Sequence, residues 1–262
     1  MRNLSSAVVI ATSATTVGCT LVSGSWCTIV AGVDDAVAEQ IEYYRARAGE
    51  YDEWWVRRGR YALPPELERQ WFHDVAQAEA ALHDFAPTGR VLELACGTGL
   101  WTRHLVGHAQ QVTAVDASPE VLEHNRDRLA GAPLNIEYVV ADVFGWRPAP
   151  ASYDVVMFTY WLSHVPDDRL AGFWAGIRAA LKPGGRVFVI DSASLSPQPS
   201  GGRMEQRQLA DGRQFSVLKR YWTVDELESD LRSRGWSPTA YMTDNHMILV
   251  ATATATGPER AV

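Results

Sequence analysis

Cysteine is scarce: Cys19, Cys27 and Cys96 are the only three in 262 residues, and no two stand at a CxxC spacing. An odd number without a pairing pattern excludes a disulfide framework and fits a reducing, cytoplasmic setting. Positive charge is short as well. Lys plus Arg is 24 against 31 Asp plus Glu, a net charge of -7. That balance argues against nucleic acid as a partner, since phosphates demand a basic face. No apolar run approaches the roughly 20 residues of a membrane span, so no membrane is expected. The seven histidines show no metal-ligand spacing, and no metal is expected. What is abundant is core material. Hydrophobic residues make up 47% and aromatics 10%, enough for one large domain or two small ones.

Residues 1–33 differ from the rest, with Arg2 their only charged side chain. A short apolar run, Ala7 to Ala11, and Val17-Gly18-Cys19 reproduce only fragments of a secretory or lipoprotein signal. The segment is expected to be a poorly ordered or non-native extension, from an upstream start codon. Residues 34–253 form the expected domain, divided into N-terminal helices (34–86), a core (90–191) and a cap (197–222), with 254–262 as a tail.

Asp34 to Arg58 reads as a helix with Val37, Ile41, Tyr44 and Ala48 on one stripe. Glu66 to Phe85 reads as a second, with Leu67, Trp71, Val75, Ala78 and Leu82 in phase. From Arg90 the rhythm becomes strand and helix in alternation. Strands are expected at 90–95, 112–116, 135–141, 153–159, 186–191 and 214–221. Helices are expected at 99–108, 118–129, 167–181 and 223–234, the last opened by a Thr223/Glu226 capping box. Two strands, 236–243 and 246–252, close the domain. This pattern predicts an α/β, doubly wound, mostly parallel sheet.

Val91 to Thr102 (VLELACGTGLWT) runs from strand into a glycine loop and an expected helix. Small residues let a ligand approach the backbone, and a helix N-terminus offers unpaired N–H groups. NAD-binding loops also use glycines here, but Thr102 stands where their third glycine would fall, and Glu93 would repel a pyrophosphate. Asp116 ends the second strand, where it can accept both hydroxyls of a ribose. Asp142 follows the third, placed for an exocyclic amine. Glu93, Asp116 and Asp142 thus fall at one edge of the sheet; the alternative is that they cap the helices that follow.

The motifs ELACGTG (Glu93 to Gly99), VTAVDAS, VVADVF, YDVVMFTYWLSHVP and LKPGGRVFVID together resemble those of the class I S-adenosylmethionine-dependent methyltransferases. The resemblance covers roughly Ile41 to Thr252. It implies a Rossmann-like, seven-stranded sheet with an antiparallel last strand and an N-terminal helical lid. S-adenosyl-L-methionine is the implied cofactor, with Glu93 near the methionine amine, Asp116 on the ribose, and Asp142 with Val143 on the adenine. Tyr43, Ala95, Gly97, Gly99, Ala117 and Thr159 complete the implied cofactor site, Ala95 replacing the family's commoner first glycine.

The aromatic segment Tyr43 to Trp55 resembles a lid over the cofactor; the alternative is that its rings are core. Tyr44, Trp161, Arg207 and Lys219 are expected to face the acceptor, and His164 is the candidate general base. Its alternative is a helix-entry residue bonded to backbone. Arg203, Arg207, Arg213, Lys219 and Arg220 stand against Glu205 and Asp211 alone, which suits a carboxylate or phosphate on the acceptor; a solvated hairpin is the alternative. There is no [DN]-P-P-[YF] or Pro-Cys motif for methylating a nucleic-acid base. The expected activity is methyl transfer to an oxygen or nitrogen of a small molecule. The rivals are a non-catalytic module binding S-adenosylmethionine or S-adenosylhomocysteine, and an NAD-dependent dehydrogenase.

Overall fold

A computed structural model describes residues 33–193 and 201–256. They fall in one unit that begins at Gly32; the features expected within residues 1–32, and the start of the cap, lie outside the described residues.

Runs of β-branched residues with no polar face make strands buried on both sides. Four of these, β1 (Gly89–Leu94), β2 (Ala109–Asp116), β4 (Tyr153–Thr159) and β5 (Leu181–Ser192), pair in parallel, and β3 (Asn135–Val140), partly exposed, adds a parallel edge strand beside β2. The β6 (Arg203–Gln208) and β7 (Gln214–Lys219) strands form a separate antiparallel hairpin. The last two, β8 (Trp236–Met242) and β9 (Ile248–Ala255), join the main sheet, whose order is β3-β2-β1-β4-β5-β9-β8. β9 runs antiparallel to both neighbours, so the reversed last strand lies inside the sheet rather than at its edge. The chain order reverses between β1 and β4, which is where open α/β sheets hold ligands.

Helices cover both faces. On one, α3 (Pro65–Phe85) buries Trp71, Val75, Ala78 and Leu82 against Val91, Met157 and Phe188. Leu67, expected on that stripe, lies in the first turn of α3 and is 41% exposed; burial begins at Trp71. On the other face, α5 (Asp167–Ala180) and α6 (Val224–Ser233) pack Trp174, Leu227 and Leu231 against Phe158 and Val187. The Thr223/Glu226 capping box forms as expected. Ser118 caps α4 (Pro119–Arg128) by accepting from the Val121 amide.

Two expected helices take another form. The first is broken into α1 (Val33–Ala46), a 3₁₀ turn over Ala48–Glu50, and α2 (Tyr51–Trp55). Gly49 weakens the helix there, and the break lets Trp55 turn down so that its carbonyl accepts from Trp71 Nε1 at 3.1 Å. The expected 99–108 helix is only a 3₁₀ turn, Thr102–Leu105. Gly99 (φ +84°) and Gly107 (φ +87°) close it off at both ends, too close together for a stable α-helix. The β6 strand was not expected; its sequence RMEQRQ has no apolar alternation to announce it.

Candidate active site

The parallel register places the carboxyl ends of β1, β2 and β4 side by side and leaves a cleft of about 670 Å³, counting its open mouth. Ala95, Gly97, Asp116, Ala117, Asp142, Val143 and Thr159, seven of the ten residues expected to hold a cofactor, line it. Asp116 Oδ2 accepts from the Gly97 amide and Oδ1 from the Ser118 amide, each at 3.0 Å. A carboxylate offers about four acceptor positions. With the carboxyl lining the cleft, what acceptor capacity remains is available to hydroxyls placed there. Burial raises the Asp116 carboxyl, opposed by the amides of Ser118, Gly97 and Ala117. Asp142 Oδ1 accepts from the Phe144 amide at 3.0 Å, leaving its other oxygen free of that bond.

The glycine loop is braced from below. Ala95, Gly97 and Gly99 all have positive φ, of 50°, 57° and 84°. For Ala95 that is a strained conformation, costing roughly 1–2 kcal/mol, so its exchange for glycine is not neutral. A Cβ on Gly97 would meet nothing within 4 Å, so the space before the loop is open. A Cβ on Gly99 would stand 2.7 Å from Asn125 Oδ1. Asn125 Nδ2 donates to the Gly97 carbonyl at 3.1 Å and to the Thr102 hydroxyl at 3.0 Å. Asp52 accepts from the Thr98 hydroxyl at 2.6 Å and pairs with Arg128, whose Nε donates to the Thr98 carbonyl at 2.7 Å. Asn125, Asp52 and Arg128 were not singled out in the sequence. An asparagine on a helix face carries no signal until the loop above it is placed.

Glu93 does not line the cleft. It is 1% exposed, on the Val91 side of β1, and neither carboxylate oxygen meets a donor at good geometry. Burial pushes its carboxyl up to about 8, with the Thr102 hydroxyl opposing.

A second hollow, about 1060 Å³ with its mouth, adjoins the first, and Tyr44, Tyr51, Tyr160 and His164 line both. Four cations, Arg47, Arg60, Arg207 and Lys219, line this hollow, and no acid does. The hairpin explains two of them: alternation puts Arg207 and Lys219 on the face of Val217, which packs against Tyr43. Lys219 Nζ donates to Ser163 Oγ at 2.7 Å and Ser192 Oγ at 3.1 Å, with Asp191 at 3.5 Å. Burial lowers the Lys219 ammonium, opposed by Asp191. Arg207 pairs with Glu205 at 2.6 Å.

His164 sits at the junction with its ring fully engaged. Nδ1 lies 2.6 Å from the Leu218 carbonyl oxygen, and Nε2 lies 2.8 Å from the Tyr44 hydroxyl. Burial, with Lys219 nearby, holds its pKa well below the usual imidazole range, so the ring is neutral. Two expectations change place. Tyr43 lines the second hollow rather than the first, and Trp161 lines the first, its ring 5.5 Å from Phe144. The aromatic segment is both lid and core: Tyr44 and Tyr51 face the hollows, while Trp55 is buried beside Trp101. Among the described residues, no group of three or more His, Cys, Asp or Glu could hold a metal ion.

Acids at the ends of adjacent parallel strands, beside a tight glycine loop, define an α/β nucleoside-binding protein. Comparison with known proteins narrows this. A family model described as a methyltransferase domain matches residues 91–185. The solved structure of DhpI with SAH is 34% identical, with a TM-score of 0.70, covering 87% of this chain and 100% of that one. The DhpI–SAM–HEP complex is 35% identical, with a TM-score of 0.68, covering 84% of this chain and 97% of that one. The ubiquinone biosynthesis O-methyltransferase of Xylella fastidiosa (strain 9a5c) is 34% identical over 103 residues, 38% of this chain. The match spans only 40% of that relative's length. The chain belongs to the class I S-adenosylmethionine-dependent methyltransferase family.

Proposed function

We propose that this protein transfers a methyl group from S-adenosyl-L-methionine to an oxygen or nitrogen of a small anionic molecule. The observation that carries the reading is the pairing of two hollows: one edged by Asp116 and Asp142, the other lined by four cations and no acid, with Tyr44, Tyr51, Tyr160 and His164 shared between them. When bound in the first, S-adenosylmethionine would supply an electrophilic methyl group, with the S–CH3 bond breaking as the bond to the acceptor forms and the neutral thioether S-adenosylhomocysteine leaving.

The residues present fit that group. Asp116, at the end of β2, would hold the ribose hydroxyls. Asp142 and the Val143 backbone hold the adenine, and the open face of Gly97 admits the nucleoside. The phenol rings at the junction exclude water and suit a cation. Arg207 and Lys219 orient the acceptor's anionic group, and the β6–β7 hairpin serves as the acceptor cap. His164, locked and neutral, fixes the Tyr44 hydroxyl at the transfer point. An acceptor already ionised needs no general base. An acceptor that must lose a proton would have to displace Tyr44 from His164 Nε2.

The setting is cytoplasmic, consistent with the free, buried Cys96 thiol. The partner is a small molecule rather than nucleic acid, since the cations line a hollow walled by aromatic side chains. No helix of the described residues is long and apolar enough to cross a membrane.

Calorimetric titration with S-adenosylmethionine and S-adenosylhomocysteine tests the cofactor site. Micromolar binding, about -8 kcal/mol, is expected in the wild type and should weaken at least tenfold in Asp116→Ala. Absence of binding to either ligand overturns the reading. Methyl transfer to a panel of small hydroxy and amino acids and their phosphorylated counterparts then separates enzyme from binding module. Binding without turnover on any of them would favour the module.

A further inference from the structure

The four cations of the second hollow are not equivalent. Arg60 pairs with Glu50 at 2.8 Å, Arg207 with Glu205 at 2.6 Å, and Lys219 with Asp191 at 3.5 Å. Arg47 alone takes part in no ion pair among the described residues, although it is only 7% exposed, and its Nε has no hydrogen-bond partner. What surrounds it is aromatic. Its guanidinium carbon lies 4.9 Å from the ring centre of Tyr51, 5.4 Å from Tyr61 and 5.7 Å from Tyr43.

A buried charge without a counter-ion is expensive, and folds keep one where a ligand supplies the missing charge. Ring faces offset part of the cost, but they leave the in-plane N–H fork without an acceptor. Burial disfavours the charge, but a guanidinium keeps its proton at neutral pH even so, and the group stays ionised. Four cations have only three partner carboxylates, one of which, Glu205, is shared with Arg203 at 2.9 Å, so the hollow keeps an excess of positive charge.

We propose that Arg47, in its cage of Tyr43, Tyr51 and Tyr61, is the ligand that neutralises the acceptor's oxyanion and so selects anionic acceptors. Arg207 and Lys219 steer and orient that group, but each already has a carboxylate; Arg47 is the site's unpaired charge. The assignment rests on reading the second hollow as the acceptor site. A carboxylate or a phosphate matches the guanidinium fork equally well.

Thermal unfolding with acetate, inorganic phosphate or chloride at matched ionic strength tests it. The wild type should gain about 3–5 °C at an anion concentration tenfold above its dissociation constant, with acetate or with phosphate but not with chloride. Whichever of the two works identifies the oxyanion. Arg47→Met should lose that gain, and its midpoint without anion should equal or exceed the wild type's, because an unpaired buried charge has gone. A purely structural arginine would leave the variant less stable. Arg47→Gln serves as a second neutral variant should the Met form not fold, and Arg47→Lys should keep part of the gain. The assignment is overturned if neither oxyanion stabilises the wild type beyond chloride, or if the neutral variants keep the full gain. Titration with S-adenosylhomocysteine runs in parallel. Binding in Arg47→Met within about threefold of wild type shows the cofactor cleft intact, whereas absence of binding in the wild type fails the methyltransferase reading and leaves the anion result to stand by itself.

Discussion

The Tyr44 hydroxyl lies 2.8 Å from His164 Nε2, while the same ring's Nδ1 lies 2.6 Å from the Leu218 carbonyl oxygen. A carbonyl only accepts, so Nδ1 carries the proton and Nε2 must accept from Tyr44. Residues far apart in the chain thus fix one tautomer and one hydroxyl direction at the place where the two hollows meet.

This relationship has a pH signature. With the imidazole pKa held well below 6.5 by burial and by Lys219, His164 stays neutral across the physiological range. The pH profile of kcat for an ionised acceptor should therefore show no imidazole limb between about pH 6 and 8. Tyr44→Phe leaves Nε2 buried and unpaired, which costs roughly 1–3 kcal/mol of stability, and it should lower kcat more than it raises the KM for S-adenosylmethionine. A wild-type limb near pH 6.5 that disappears in His164→Gln would make His164 the base and sink the orienting role.

Gly97 and Gly99 make a controlled pair, because both have positive φ but only one is crowded. Alanine at Gly97 meets open space and carries only the backbone cost, about 1–2 kcal/mol. Alanine at Gly99 adds an overlap at 2.7 Å with Asn125 Oδ1 and 3.2 Å with its Cα. That should bring the loss to about 3–4 kcal/mol by urea denaturation. Equal losses would show that Asn125 gives way freely and does not brace the loop.

Asp74 offers a stability test far from both hollows. Fully buried on α3, it accepts from Thr243 Oγ1 at 2.6 Å, from Asn245 Nδ2 at 2.7 Å, and from the amides of Asn245 at 3.1 Å and Met247 at 3.0 Å. It therefore ties the β8–β9 turn to the helix layer. Asp74→Ala orphans several donors and should cost about 3 kcal/mol or more, with S-adenosylhomocysteine affinity unchanged in the folded fraction. A loss of affinity equal to the loss of stability would connect this corner to the site.

The sheet was legible because its strands are short β-branched runs whose ends carry the acids. Asp116 and Asp142 needed only that phase to land on one edge. Pairings across the chain were not legible. Arg45 and Arg47 stand two residues apart on one segment, yet Arg45 meets Glu120 at 3.2 Å while Arg47 meets only rings. No local pattern says which arginine is left without a carboxylate. The exchange of Tyr43 and Trp161 between hollows has the same origin: a helix stripe shows which residues face inward, not which of two adjoining cavities they meet. The 99–108 stretch has the composition of a helix, but the two glycines that close it, Gly99 and Gly107, leave room for only a 3₁₀ turn.

Glu93 gives the last prediction, and its sign is fixed by linkage. Its carboxyl is raised to about 8 in the fold, against an ordinary value of 4.5. Between these values the folded state binds the proton more strongly than the unfolded chain. The stabilising contribution is therefore full below about pH 4.5 and is lost as pH rises through 8. Glu93→Gln keeps the shape without the ionisation. It should be more stable than wild type at pH 8, on the order of 2 kcal/mol, with the gain shrinking toward zero near pH 5. The same variant should bind S-adenosylmethionine, whose ammonium and sulfonium are cationic, more weakly by about tenfold if the carboxylate acts on it through the loop. Denaturation midpoints at pH 5 and 8, set beside calorimetry at pH 8, read both effects at once. A stability difference that does not change with pH would show that Glu93 has no raised proton affinity in the fold, and the buried position beside Thr102 would then hold a charged carboxylate without penalty.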